Sequence, residues 1–400
     1  MKIGIIREGK NPPDSRVALT PRQCHYINEL YPVEIVVEPS PNRSYSDAEY
    51  QQEGVRLCKD LSDCDVLIGV KEVPIEQLIP NKTYFFFSHT IKKQSYNQKL
   101  LQAVIRKKIR LMDYETIKNH RGERLIAFGH YAGMVGAHNA LWTLAQRSKT
   151  FELPRMYQSH DYFAVKKIYR KTTFPPVKIV LTGNGRVAQG ALEVLRDMKI
   201  KQVVPSDFLT KTYNEAVFTQ LQCEHYVVRK DGATFVKSAF YKNPSEHKSS
   251  FAPYTNVADV FINGIYWDPS GPAFFELDEM AKPDFNIKVI ADVTCDIAPA
   301  SSVPSTLRPS TIPDPVYGFD PQTQQETAPY QANCIDIMAI DNLPNELPRD
   351  ASEFFGKQFF EKVLPELLHY DNSSILERAT IADNGDLTEG YEYLREYCFG

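Results

Sequence analysis

Long apolar runs, a pairing pattern among cysteines and an excess of positive charge are all missing from this 400-residue chain, and each absence removes a class of function. No stretch reaches the roughly 18 consecutive apolar residues of a membrane-spanning helix, and the opening Met1-Lys-Ile-Gly-Ile-Ile6 is too short an apolar run for a secretory signal. No membrane is expected as a partner. The seven cysteines stand at positions 24, 58, 64, 223, 295, 334 and 398 without a C-x-x-C spacing, which fits reduced thiols in a cytosol. The protein is therefore read as cytoplasmic and without a metal. Asp292-x-x-x-Asp296 supplies two carboxylates but no histidine or third acid at useful spacing, and is read as structural. With a net charge of -4, a pI near 6.2 and no basic run, the chain has no long-range attraction for a polyanion, so nucleic acid is not expected as a partner. Low-complexity tracts and solenoid-length repeats are also missing.

What is present is an apolar content of 42%, enough for two α/β domains with cores of their own. In the first 115 residues, β-rich runs at Lys2–Ile6, Glu34–Val37, Val66–Val70, Tyr84–Ser88 and Ile109–Tyr114 alternate with helical spacing at Pro21–Leu30 and Lys99–Lys107. Mostly apolar strands separated by helices predict a parallel sheet covered on both faces. Thr20-Pro21 supplies a helix N-cap followed by proline at the first helical position. A helical stretch from Gly129 to Arg147, rich in small residues and containing Trp142, is placed as a crossing between domains. A second α/β unit then starts at Val177–Val180 and continues through Gln202–Val204, Tyr226–Val228, Val260–Ile262 and Val289–Asp292. The domains expected are 1–135 with 345–400, and 136–344.

The second unit opens on a dinucleotide fingerprint. An apolar strand, Val177-Lys-Ile-Val-Leu-Thr, runs into Gly183-Asn-Gly185-Arg-Val-Ala188 and a helix start. In such a turn the first glycine makes the bend, the second lets backbone approach a pyrophosphate, and the third small residue lets helix pack on strand. The phosphates then sit at the helix N-terminus. A carboxylate for the ribose is expected about 20 residues on, at the end of the next strand. There the chain reads Val203-Val-Pro-Ser-Asp207, with Pro205-Ser206 in the acidic residue's place, which leaves NAD or NADP open; Arg186 beside the turn suits a 2′-phosphate as well.

In the first domain, charged groups follow the strands: Arg16 before the first helix, Lys71-Glu72 after Val66–Val70, His89 after the Phe85–Phe87 run, and Glu115 after Leu111–Tyr114. Carboxyl ends of parallel strands line the ligand crevice of open sheets, so these groups can converge. A buried lysine can serve as a base and a histidine can pass a proton near neutrality. A solvated Lys-Glu pair and a merely packed histidine are the plain alternative. Arg16 and Arg124 either bridge surfaces or clamp carboxylates.

Several longer stretches point further: Phe86-Phe-Ser-His-Thr-Ile-Lys92, Arg110-Leu-Met-Asp-Tyr-Glu115, His120-Arg-Gly-Glu-Arg124 with Ala127-Phe-Gly129, Phe261-Ile-Asn-Gly-Ile-Tyr-Trp267, and Ile340-Asp-Asn-Leu-Pro344 with Ala351-Ser-Glu-Phe-Phe-Gly356. Together they resemble the saccharopine dehydrogenases that form lysine, and most closely the lysine/2-oxoglutarate reductase domain of the bifunctional aminoadipic semialdehyde synthase. The resemblance implies an α/β protein of two Rossmann-like domains, an alanine-dehydrogenase N-terminal-like domain and a dinucleotide-binding domain, with a cleft between them. It implies interconversion of saccharopine with lysine and 2-oxoglutarate, with NADP or NAD as cofactor and NADP slightly favoured.

By the same resemblance Lys71 and His89 match the catalytic pair. Arg16, Gln94, Arg124 and Phe128 match substrate-binding positions, and Asn263, Gly264 and Ile265 lie on the substrate side of the second domain. Gly183, Gly185 and Arg186, with Ile340, Asp341, Asn342 and Leu343, match cofactor contacts. The chain departs from the fungal pattern at Glu123, in place of an arginine, and at Asn342, in place of a histidine; both departures agree better with the reductase-domain branch, which favours NADPH. Two other readings stay open, an alanine-dehydrogenase-like amino acid oxidoreductase and a non-catalytic nicotinamide-binding protein. Nothing in the sequence sets an oligomeric state.

Overall fold

Short runs of Val, Ile and Phe form the strands of a parallel sheet buried on both faces. A computed structural model of the protein, describing residues 1–369 and 373–400, gives β1 (Lys2–Ile5), β2 (Glu34–Val37), β3 (Arg56–Leu57), β4 (Val66–Ile68), β5 (Thr83–Phe86) and β6 (Arg110–Asp113). They pair side by side in the order β6-β5-β4-β1-β2-β3, all parallel, so crossover helices must cover the faces. The first of these is α1 (Pro21–Leu30). Thr20 caps it, Gln23 closes a capping box, and Pro21 takes the position where no N–H is needed. A short helix, Asp47–Gln52, lies between β2 and β3, and α2 (Ser95–Arg106) lies between β5 and β6. Beyond β6 the sheet is extended by tail strands Thr380–Asp383 and Asp386–Leu387, the first antiparallel to β6. The tail helix Pro348–Lys362 brings Phe355 against Tyr114, with ring centroids 4.8 Å apart, and Phe359 against Phe85. This unit comprises Met1–Phe128 and Pro348–Gly400.

The second unit, Gly129–Leu347, begins with helix α3 (Gly129–Ser148). The sequence reading joins the domains at 135/136 and 344/345; the compact units join at 128/129 and 347/348. The reason lies in α3 itself, which packs along α4 (Arg186–Asp197), the helix after the glycine turn. A Cβ on Gly133 would stand 1.7 Å from the Val187 carbonyl oxygen, and one on Gly190 1.8 Å from that of His130. Backbone touches backbone there.

Strands β7 (Lys178–Thr182), β8 (Lys201–Gln202) and β9 (Val217–Leu221) lie on one side of this unit. A two-stranded antiparallel hairpin follows, β10 (Val227–Arg229) with β11 (His247–Ser249). Then come β12 (Val260–Asn263), β13 (Val289–Asp292), β14 (Tyr317–Asp320), β15 (Gln325–Thr327) and β16 (Ile335–Met338). The main sheet runs β15-β14-β16-β13-β12-β7-β9-β8. It is parallel from β16 to β8, with β14 and β15 antiparallel at one edge.

Two expectations change here. The run read at Tyr226–Val228 belongs to the separate hairpin, and the strand beside β7 is β9, which the reading passed over. The strand expected at Gln202–Val204 is cut to two residues because Pro205 opens helix α5 (Pro205–Thr210). Among the described residues no helix is long and apolar enough to cross a membrane.

Candidate active site

In the first unit the charged residues predicted at strand ends meet around Phe87. Its ring stacks on His89, with centroids 6.1 Å apart and planes at 16°, and lies 6.1 Å from Phe128. The Arg124 guanidinium sits 5.9 Å from the same ring, and that of Arg16 lies 4.3 Å over Phe128. Phe128 in turn stacks on Phe355 at 4.6 Å.

His89 is held in a left-handed backbone conformation, φ 53°, unusual for a residue with a Cβ. Buried Asp113, the last residue of β6, fixes that bend by accepting from the N–H groups of Ser88 and His89, at 2.8 and 3.0 Å, and from the Ser88 hydroxyl at 2.7 Å. The imidazole Nδ1 meets the Glu72 carboxylate at 2.6 Å, which leaves Nε2 as the outward ring nitrogen. Burial alone would raise the Glu72 carboxyl; the His89 hydrogen bond and the Lys10 ammonium 3.1 Å away hold it down at about 2.

Lys71 follows β4, and its ammonium is lowered to about 8, first by burial and then by the nearby Arg16 charge. Its backbone is fixed from below by Glu8, whose two carboxylate oxygens accept from the N–H groups of Val70 and Lys71 at 2.6 and 2.8 Å. Burial pushes the Glu8 carboxyl up to about 8. Arg16 is 2% exposed and lies in a two-point grip with Asp14, Nε donating at 2.9 Å. Burial would raise Asp14, but the guanidinium overrides it and holds the carboxyl at about 2. Arg124 reaches the surface and pairs with Glu115 at 3.3 Å. Gln94 stands apart from this cluster: it precedes α2, is exposed, and accepts from the Tyr96 hydroxyl at 2.6 Å. Asp14, Glu8 and Asp113 were missed by sequence reading; a carboxylate two residues before Arg16 was the only visible signal.

In the second unit the glycine turn has the geometry that a dinucleotide needs. Gly183 has φ 99°, and a Cβ there would press within 2.7 Å of the Gly264 carbonyl oxygen, so both its backbone angle and its neighbour require glycine. Gly185 differs: a Cβ there would meet no protein atom within 4 Å. No contact within this unit demands that glycine, and the open space above it fits an approaching phosphate. No side chain caps the N-terminus of α4, a helix end whose dipole favours an anion, and Arg186 is exposed at its start.

Gly264 and Ile265 follow β12 directly beside the turn and line, with Gly183 and Gly185, a cavity of about 480 Å³. Asn263, in contrast, is fully buried. Its amide accepts from the Thr182 hydroxyl at 3.1 Å and donates to Asp292 and Ser302, both at 2.9 Å, tying together β7, β12 and β13. Asp292 is also buried and accepts from the Thr306 hydroxyl at 2.7 Å. Beyond the end of β16, Ile340 and Leu343 pack into the core, Asp341 is exposed and Asn342 is half-buried.

Asp207, the residue nearest the expected ribose position, lies inside α5, half-buried and paired with Lys211 at 2.8 Å. The strand order explains this, since β8 is the sheet edge and the ribose position belongs to the end of β9. There the Gln220 amide donates to the Gly183 carbonyl at 2.9 Å, and the Gln222 side-chain oxygen accepts from the Asn184 amide at 3.2 Å.

Residues 4–135 match the family model described as "Alanine dehydrogenase/PNT, N-terminal domain". Over 98% of this chain, alpha-aminoadipic semialdehyde synthase, mitochondrial, of Rattus norvegicus is 30% identical, although the match takes in 47% of that longer protein. The chain thus spans about half the length of relatives of that kind. The saccharopine dehydrogenase (NAD(+), L-lysine-forming) of Emericella nidulans is 26% identical, with 94% of this chain and 95% of that one covered. Among solved structures, an L-alanine dehydrogenase superposes with a TM-score of 0.65 at 16% identity and covers 99% of both chains. That likeness shows the fold, two Rossmann-like α/β domains. The resemblance to the lysine-forming saccharopine dehydrogenases and to the semialdehyde synthase extends over nearly the whole chain.

Proposed function

We propose that this protein is a lysine-forming saccharopine dehydrogenase, a lysine-2-oxoglutarate reductase that interconverts saccharopine with lysine and 2-oxoglutarate using NAD(P). The observation that carries the reading is Lys71, a lysine lowered to about 8 and followed in the chain by Glu72, whose carboxylate anchors the His89 imidazole. At pH 7 roughly a tenth of such a lysine is deprotonated, against well under a thousandth at its ordinary value. The site therefore holds a base and an acid in one place.

When bound, the cofactor supplies or accepts the hydride. In the oxidative direction, Lys71 Nζ takes the proton of the substrate's secondary amine. His89, through the ring nitrogen that faces away from Glu72, passes protons to and from water during hydrolysis of the resulting imine. Glu72 keeps the imidazole oriented for that exchange. Of the two arginines, surface-reaching Arg124 is assigned to a substrate carboxylate, and Arg16 to holding Asp14 and the Phe128 ring in place. Gln94 and the Gly264-Ile265 backbone are assigned to substrate as well. Gly183, Gly185 and Arg186, with the segment Ile340–Leu343, are assigned to the cofactor. For the compartment the composition favours the cytoplasm, whereas three of the relatives are named as mitochondrial.

The test is a mass-spectrometric assay for saccharopine after incubation with lysine, 2-oxoglutarate and NADPH or NADH. Saccharopine formation dependent on both carbon substrates is expected. Cofactor consumption with pyruvate and ammonia in its place makes the protein an alanine-dehydrogenase-like oxidoreductase instead.

A further inference from the structure

The glycine turn opens onto a cavity whose far wall is built by the segment between β9 and β12. Aromatic contacts hold that segment in place, within it and to the chain beyond β12. The β10–β11 hairpin pairs Val227 with Ser249, Phe240 packs edge-on against His247 at 5.1 Å, and Tyr226 lies 5.0 Å from Phe274. The opposite wall is the loop after Gly264, where the Trp267 indole N–H donates to the Pro272 carbonyl at 3.1 Å. Tyr226, Phe240, Tyr241 and Trp267 all line the space between, giving a mostly apolar slot of a size that suits a purine base.

Polar groups in the slot are few: Asn184 and Gln222 at the glycine-turn end, Lys237, and on the opposite loop Asp268, whose carboxylate accepts from the Ser270 N–H and hydroxyl at 2.8 and 2.7 Å. In a dinucleotide fold the residue ending the strand beside the glycine-turn strand faces the adenosine ribose, and an acid there bonds the 2′-hydroxyl. Strand order makes that strand β9, and its end reads Leu221-Gln222-Cys223. Gln222 is neutral, and its side-chain oxygen is turned to Asn184 of the glycine turn. The acid that follows, Glu224, is exposed, lies 3.6 Å from the Cys223 thiol and is outside the cavity lining. A cation faces the slot instead: Lys237, at the start of α6 (Lys237–Lys242), exposed and 6.0 Å from the Tyr241 ring centroid. Neighbouring cations are engaged, Arg229 by Asp231 and Glu246 and Lys230 by the Ser245 carbonyl, whereas among the described residues no carboxylate pairs with Lys237.

We infer that this slot takes the adenosine end of the cofactor and that Lys237, with Gln222 in place of an acid, selects a ribose bearing a 2′-phosphate. The inference rests on the preceding reading only in taking a nicotinamide dinucleotide as the ligand. An ammonium against a dianionic phosphate is favourable, and a carboxylate at position 222 would repel the same phosphate.

The experiment is calorimetric titration of the full chain with adenosine 2′,5′-bisphosphate and with adenosine 5′-monophosphate, in wild type, Lys237→Ala and Gln222→Glu. In wild type the bisphosphate should bind about tenfold or more tightly than the monophosphate. Lys237→Ala should remove most of that gap, and Gln222→Glu should close or invert it. Lys237 is exposed, so its replacement leaves the fold intact, and a circular dichroism melt checks this. Equal binding of the two nucleotides by wild type, a gap that survives Lys237→Ala, or no binding of either overturns the inference. If the nucleotides bind as expected but no saccharopine forms, the proposed reaction fails and the slot assignment stands.

Discussion

Lys71 is made useful by its surroundings: burial and the Arg16 charge lower it to about 8, and Glu8 fixes its backbone from beneath. Lys71→Met should lower turnover by roughly 100-fold or more with the fold retained, measured by steady-state kinetics beside a thermal melt. A folded variant with unchanged turnover sinks the assignment. The pH dependence has a definite sign. With Lys71 as the proposed base, the deprotonated form is the active one in saccharopine oxidation, so kcat/KM in that direction should rise as pH passes through about 8. Glu8 titrates in the same range, and the two are told apart by variants: the step disappears in Lys71→Met and persists in Glu8→Gln.

Asp14 makes a different prediction. Its folded value, about 2, lies below the ordinary 3.8, so its contribution to stability is complete above pH 4 and is lost as pH falls towards 2. Asp14→Asn leaves the Arg16 charge buried without its counter-ion and should cost about 3–5 kcal/mol, read from denaturant unfolding.

At the scale of elements, two glycines in neighbouring positions are required for opposite reasons. Gly190 sits where the α3 and α4 backbones touch, and a methyl group there would stand 1.8 Å from a carbonyl oxygen that cannot swing aside. Gly190→Ala should destabilise by more than about 3 kcal/mol. Gly185 meets nothing and has ordinary extended backbone angles, so Gly185→Ala should unfold within about 0.5 kcal/mol of wild type. Its dissociation constant for NAD(P)H should rise tenfold or more, because the methyl occupies the space left for phosphate. Equal cofactor affinity in Gly185→Ala rules out that role for the turn.

The strand, turn and helix around these glycines were legible because their signals are local: an apolar run, then glycines at fixed spacing. The ribose position was not. Periodicity finds strands but carries no information about which strands are neighbours, so it points to the end of β8 where the structure has β9. The Val217–Leu221 strand was passed over beside the Tyr226–Val228 run, which turned out to form a separate hairpin. Likewise the strand-end positions of Lys71 and His89 could be read from sequence, whereas the hold of Asp14 on Arg16 and of Asp113 on the His89 bend arises from backbone folds that residue order does not announce.

At the scale of the whole molecule, each of the two α/β units carries a feature of its own. One gathers acid, base and arginine around Phe87, and the other carries an open glycine turn with an aromatic slot beside it. Similarity to the semialdehyde synthase and to a lysine-forming saccharopine dehydrogenase covers 98% and 94% of the chain, and so takes in both units. The most direct measurement is the initial rate of NADPH oxidation by the purified chain, with lysine and 2-oxoglutarate each omitted in turn. The account predicts oxidation only when both are present, with saccharopine accumulating in equal amount to the NADPH consumed. Oxidation that proceeds without lysine, or none with both substrates supplied to folded protein, would contradict it.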